Sequence, residues 1–153
     1  MTVHLPFEAE LVPATFRSRP NRFLVEVELD GRTVLAHLHD PGRLKELLTP
    51  GVDLRLKPAD TGAAARKTAW TAALVRAGTE WVSIDSGLPN RFVEQCLRTG
   101  AIHEFRDYAV ARREVPFGRS RFDFQLVGSG MDVLLEVKSA TLVADGLALF
   151  PDA

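Results

Sequence analysis

Apolar and polar residues alternate along most of the chain, and a helical period interrupts that alternation only twice. Phe23, Val25, Val27 and Leu29 alternate with Leu24, Glu26 and Glu28, the period of a strand with one buried face. Asp30-Gly31 is a strong hairpin signal, and Val34, Ala36 and Leu38 carry the pattern back. Asp40-Pro41-Gly42 stops it. Leu44, Leu47 and Leu48 then have the spacing of a short amphipathic helical turn, ended by Pro50-Gly51. Val52, Leu54 and Leu56 alternate with Asp53, Arg55 and Lys57 as a further strand. Ahead of these, residues 11–16 read as an edge strand interrupted by Pro13, and Arg17-Ser18-Arg19-Pro20-Asn21-Arg22 reads as a basic turn. Residues 58–66 are small and polar and read as a loop, and residues 68–75 and 81–84 read as two strands joined near Gly78.

About six short strands with one helical turn after the third suit a small Greek-key barrel of the OB kind, whose exposed face commonly binds oligonucleotides. The alternation stops at Asp85-Ser86-Gly87-Leu88-Pro89, which places a domain boundary there: an OB-like β-barrel over 1–85 and a second domain over 86–153. In the second part, Asn90 is positioned to cap a helix over 91–99 that Gly100 ends. Phe92, Val93, Cys96 and Leu97 form its apolar stripe and Glu94 its flank. Residues 108–115 read as a strand and Pro116-Phe117-Gly118 as a turn.

The chemistry concentrates between Ser120 and Lys138. Phe122, Phe124 and Leu126 alternate with Asp123 and Gln125, Gly128-Ser129-Gly130 supplies a turn, and residues 133–138 read as the returning strand. Glu136 and Lys138, two residues apart, leave the same face of that strand, and Asp123 can lie beside them on its neighbour. Two carboxylates and an ammonium on one patch suit a Mg²⁺ or Mn²⁺ ion, a hard cation that takes few protein carboxylates and shares phosphate oxygens. Such an ion acidifies a bound water, and a lysine can orient that water or offset phosphate charge, which is equipment for phosphodiester hydrolysis. The same spacing also suits the solvated face of an edge strand.

Asp-x(12)-Glu-x-Lys resembles the PD-(D/E)xK nuclease signature. The words Ser-Arg-Phe-Asp-Phe, Glu-Val-Lys-Ser-Ala-Thr-Leu and Phe-Pro-Asp-Ala resemble the sugar fermentation stimulation protein family. So do Arg22-Phe23-Leu24, Asp40-Pro41-Gly42-Arg43-Leu44, Trp81-Val82, Pro89-Asn90 and Gly118. The resemblance implies an α+β or α/β two-domain protein: an OB-like barrel, then the front half, a helix plus three strands, of a PD-(D/E)xK nuclease-like domain. It also implies DNA binding and a link to sugar utilisation. On that reading Asp123 and Glu136 hold Mg²⁺ or Mn²⁺ with help from the Val137 carbonyl, and Lys138 serves the attacking water or the transition-state charge. Arg119 and Arg121 contact phosphate, and Arg17, Arg19 and Arg22 hold a strand of nucleic acid on the barrel. The first helix of such cores often supplies another acid, for which Glu94 is the candidate, with Glu104 and Glu114 as rivals. Family members continue past Phe150-Pro151-Asp152-Ala153, so the chain reads as C-terminally truncated. A piece of three strands and one helix is expected to leave Val133, Leu134, Leu135 and Val137 short of packing.

Composition narrows the setting. The net charge of −1 makes no global case for nucleic acid, but residues 91–121 hold seven arginines against four acids, beside the carboxylate cluster. Those arginines equally suit solvated surfaces. No stretch has the apolar length of a membrane span, and the start lacks the basic and hydrophobic regions of a signal peptide. One cysteine, Cys96, excludes an internal disulfide framework, fits a reducing cytoplasm and has the spacing of a packing thiol. Four scattered histidines lack zinc spacing. The alternatives to a metal-dependent DNA endonuclease are a DNA-binding transcriptional regulator without chemistry and a barrel that recruits protein or RNA.

Overall fold

A computed structural model of the chain describes residues 2–59, 68–128 and 130–149. Most of the loop expected over 58–66, together with Ser129 and the word Phe150-Pro151-Asp152-Ala153, lies outside the described residues. The described residues fall into two compact units, one drawn from 7–59, 68–86 and 140–149, the other from 2–6, 87–128 and 130–139.

The first unit is built on β1 (Val12–Asn21), β2 (Leu24–Leu29), β3 (Arg32–Leu38), β4 (Asp53–Pro58), β5 (Trp70–Ala77) and β6 (Glu80–Ser83). β1 pairs antiparallel with both β2 and β4, β4 pairs with β5, and β5 with β6. β3 also pairs in parallel with β5, matching His37 with Thr71, and this closes five strands into a barrel in the order β1-β2-β3-β5-β4. The inward residues of the alternation fill it: Val25, Val27, Ala36, Leu38, Leu54 and Leu56 are all fully buried. Truncating one of these leucines to alanine costs about 2–5 kcal/mol, through lost transfer energy and the cavity left behind. Asp30 and Gly31 both take positive φ, 50° and 73°, the type I′ geometry whose twist matches a tight hairpin.

Two expectations for the first strand change: β1 lies between β2 and β4 rather than at an edge, and it runs on past Phe16, whereas the helical turn over 44–48 forms as expected. Residues 17–21 continue strand β1 rather than forming a turn, with register shifts around Ser18, so Arg17 and Arg19 project from a strand. Bulges let the strand run on through Pro20 at the end of the ladder. Leu44, Leu47 and Leu48 form a single hydrogen-bonded turn, with Leu48 N–H on the Leu44 carbonyl at 2.8 Å, and all three leucines plug the barrel. A hairpin of β10 (Leu142–Ala144) and β11 (Leu147–Leu149) belongs to the same unit.

The second unit has one helix, α1 (Leu88–Arg98), a 3-10 turn at His103–Phe105, and an antiparallel sheet of β7 (Tyr108–Phe117), β8 (Ser120–Gly128) and β9 (Met131–Leu135). α1 starts three residues earlier than the capping pattern suggests. Gly87 is the N-cap and Pro89 lies in the first turn, where a missing N–H costs nothing. Asn90 is thus released from capping. Gly100, at φ 65°, ends the helix in a Schellman motif: its N–H reaches the Leu97 carbonyl at 3.1 Å, and Ala101 N–H reaches the Cys96 carbonyl at 2.8 Å. Leu97, Phe124 and Leu126 make the core, and Cys96 is a buried free thiol. Val133, Leu134 and Leu135 are only half-buried, as a three-stranded sheet with one helix dictates.

Candidate functional site

β9 stops at Leu135, so Glu136, Val137 and Lys138 lie beyond the strand rather than within it. The reason is a side chain. The β8–β9 register pairs Phe124 with Leu135, and one further step would set Asp123 opposite Glu136. There the Asp123 carboxylate takes the place of a ladder carbonyl: its Oδ2 accepts the Val137 N–H at 2.7 Å. Its Oδ1 accepts Asn90 Nδ2, from the first turn of α1, at 2.6 Å. Asp123 therefore ties the helix start and the 136–138 segment to β8 through charge-assisted bonds.

Asp123 lies in a row of acids across the sheet. On the other side, Glu114 stands between the pairs Arg113–Phe124 and Val115–Phe122, opposite Asp123, with φ 51°. Carboxylates so aligned repel unless cations intervene. The two outer ones have them: Lys138 Nζ bonds Glu136 Oε1 at 2.5 Å, and Arg121 Nε lies 2.9 Å from Glu114 Oε2. The bond to Glu136, and its charge, push the Lys138 ammonium above its ordinary value of 10.5. Lys138 is therefore a fixed cation near neutrality.

The structure thus brings Asp123, Glu136, Val137 and Lys138 together, with Arg121 on the flank. Glu94 is engaged elsewhere: Arg98 and Arg113 contact its two oxygens at 2.8 and 2.9 Å. Glu104 lies exposed in the 3-10 turn, and of the three additional acids only Glu114 falls in register with Asp123. Arg119 is exposed in the β7–β8 turn. Among the described residues no three His, Cys, Asp or Glu side chains are grouped to hold a metal by themselves. Asp123, Glu136 and a main-chain carbonyl are a hard oxygen set, which fits an ion that keeps several of its waters. Asp123 retains acceptor capacity, since each carboxylate oxygen has two lone pairs and each takes one N–H here.

On the barrel, Arg17 pairs with Glu28. Arg19 turns its fork onto four carbonyls, those of Gly42, Arg43, Arg22 and Asp40, at 2.6 to 3.2 Å. Burial lowers the Arg19 pKa, and the Asp40 charge opposes that shift. Arg19 is thus the clamp of the 40–43 turn, while Arg22 lies 4.9 Å over the Phe23 ring.

Two arrangements escape sequence reasoning altogether. Asp85, only 3% exposed, accepts Lys57 Nζ at 2.7 Å and meets His39 Nδ1 at 2.9 Å. Trp81 is stacked with Arg55 and Arg76. Their partners are up to 46 residues apart, and an outward polar residue on a strand carries no mark of what it will meet.

A closed five-stranded barrel with this strand order defines an OB-type domain, joined to a smaller α+β unit that carries a carboxylate–lysine cluster. Residues 18–84 match the SfsA N-terminal OB domain and residues 87–153 the sugar fermentation stimulation protein RE domain. The chain belongs to the sugar fermentation stimulation protein family. It is 49% identical to the homolog from Chloroflexus aurantiacus over 152 residues, covering 99% of this chain and 58% of that one. It is 48% identical to the homolog from Moorella thermoacetica, covering 99% and 64%. Among solved structures, Pyrococcus furiosus SfsA in complex with Ca²⁺ matches with a TM-score of 0.86 at 27% identity, over 99% of this chain and 64% of that one. The chain therefore spans less than two thirds of these relatives. Among the described residues no helix is long and apolar enough to cross a membrane.

Proposed function

We propose that this is a cytoplasmic DNA-binding protein whose Asp123–Glu136–Lys138 cluster is a PD-(D/E)xK-type site for divalent-metal-dependent phosphodiester hydrolysis. The observation that carries the reading is the Asp123 carboxylate holding the Val137 N–H, which seats Glu136 and Lys138 beside it although the strand has ended. The Ca²⁺ complex of the Pyrococcus furiosus relative supports a divalent site in this fold, and the OB-type barrel supports nucleic acid as the partner.

Asp123, Glu136 and the Val137 carbonyl would hold Mg²⁺ or Mn²⁺, which supplies an acidified water and a charge clamp on the scissile phosphate. Lys138, seated beside Glu136, would orient the attacking water and offset the charge that grows on phosphate oxygens. Asn90 and the Val137 N–H fix the Asp123 carboxylate, so its remaining lone pairs are directed before substrate arrives. Arg119, exposed on the turn leading to Asp123, would meet a flanking phosphate, and Arg121 would do so on exchanging its Glu114 partner for phosphate.

The test is nicking of supercoiled plasmid with Mg²⁺ or Mn²⁺ by the wild-type chain, Glu136→Gln and Lys138→Met. Nicking that requires the metal and disappears in both variants is expected. If the wild-type chain shifts DNA in a gel yet never nicks it, the hydrolytic reading is wrong and the protein is a DNA-binding regulator.

A further inference from the structure

The outer face of the barrel carries an arginine–tryptophan stack that the acidic cluster does not use. Arg76 and Trp81 are direct cross-strand partners on β5 and β6, and Arg55 on β4 pairs with Leu74 in the next rank. The guanidinium carbons of Arg55 and Arg76 lie 4.4 and 5.3 Å from the centre of the Trp81 ring. Carbonyls pin both: Arg55 Nη1 donates to the Leu54 carbonyl at 3.2 Å and Arg76 Nε to the Gly78 carbonyl at 2.9 Å. Among the described residues neither arginine is in an ion pair with an acid, whereas Arg17 on the same barrel is neutralised by Glu28 and Arg19 is committed to four carbonyls.

We propose that Arg55, Arg76 and Trp81 form a platform for single-stranded DNA. The proposal rests on the DNA-binding part of the proposed function and not on the metal cluster. Two uncompensated cations fixed on one aromatic ring offer what a nucleic-acid strand needs. Guanidinium N–H groups left over from the carbonyl bonds take phosphate oxygens, and the outward planar faces of the guanidiniums that the indole backs take unstacked bases. In a duplex those base faces are already covered by neighbouring pairs, so a platform of flat faces selects unpaired bases. Charge complementarity is local, since the chain as a whole carries −1.

The chain has two tryptophans, and Trp70 packs against the barrel core, so Trp70→Phe leaves Trp81 as the only indole. Titrating that variant with an oligothymidine in EDTA should quench its fluorescence. Fluorescence anisotropy of a labelled oligothymidine gives the affinity for the unaltered chain as well, should Trp70→Phe fold poorly. Arg55→Gln and Arg76→Gln should each weaken binding and lower the slope of log K against log salt by about 0.7, the share of one phosphate on a single strand. Trp81→Ala should cost about tenfold or more in affinity. Unchanged affinity and salt slope in the Arg55→Gln/Arg76→Gln double variant, or tighter binding of duplex DNA or RNA of equal length, overturns the platform. Because EDTA removes any role of metal, lost nicking with intact oligothymidine binding condemns the acidic site alone. Intact nicking with no platform binding condemns the platform alone.

Discussion

Replacing Asp123 by Asn separates the structural duty of this carboxylate from its chemical one. Asp123 accepts two N–H donors, the Val137 amide at 2.7 Å and the Asn90 amide at 2.6 Å. An asparagine keeps one carbonyl oxygen and must turn its NH₂ toward the other donor. One charge-assisted bond is then lost outright and the second becomes a neutral one. With hydrogen bonds to charged groups contributing about 1.5–3 kcal/mol and neutral ones about 1, the loss should be roughly 2–5 kcal/mol. For a chain of this size, at about 2–4 °C per kcal/mol, that lowers the melting temperature by roughly 4–20 °C. The assay is thermal unfolding by circular dichroism, run beside Glu136→Gln as the control. Glu136 pairs with an exposed Lys138, so its variant should melt with the wild type while losing metal-dependent nicking. If Asp123→Asn melts within a degree of wild type, the carboxylate does not hold the 136–138 segment, and the account of why β9 ends at Leu135 fails.

Three further outcomes rest on the same geometry. Asp85→Ala leaves the half-buried Lys57 and His39 without their shared acceptor and should lower stability by about 3–5 kcal/mol in guanidinium titration, with Asp85→Asn milder. A neutral result for Asp85→Ala would mean that the cluster contributes nothing. Gly128→Ala places a Cβ 2.2 Å from the Asp107 carbonyl oxygen and 2.9 Å from Tyr108 Cα, both backbone, so the β7–β8 ladder must shift. That should exceed the roughly 1–2 kcal/mol of Gly118→Ala, which has open space and strains only its positive φ; the reverse ranking in chemical denaturation would contradict the packing described. Arg19→Lys cannot reproduce a planar fork on four carbonyls and should cost roughly 1–3 kcal/mol, with faster amide exchange at residues 40–43 as the local readout.

Much of the barrel was legible in the order of residues because its causes are local. Val25, Val27 and Leu29 face inward since a strand has a period of two, and Asp30-Gly31 turns the chain since both residues tolerate positive φ. The same signal, Asp145-Gly146 at φ 51° and 76°, marks the β10–β11 hairpin and was there to be read. The Asp-x(12)-Glu-x-Lys spacing likewise groups Asp123, Glu136 and Lys138 from the order of residues alone.

What the order of residues left open belongs to pairing between distant segments. Asn90 has the composition of a helix cap, and only the approach of β8 to the start of α1 made it a ligand of Asp123. Glu94, Glu104 and Glu114 were interchangeable as additional acids until sheet register set Glu114 opposite Asp123 and two arginines took Glu94. Arg17 and Arg19 belonged to a basic turn by composition, yet β1 ran on and gave them Glu28 and four carbonyls. His39 meets Asp85 across the closure of β3 onto β5, while Arg55, Arg76 and Trp81 meet because the register of β4, β5 and β6 sets them side by side. Alternation determines which side of a strand a residue faces; only the closed barrel and the register of its strands determine what it faces there.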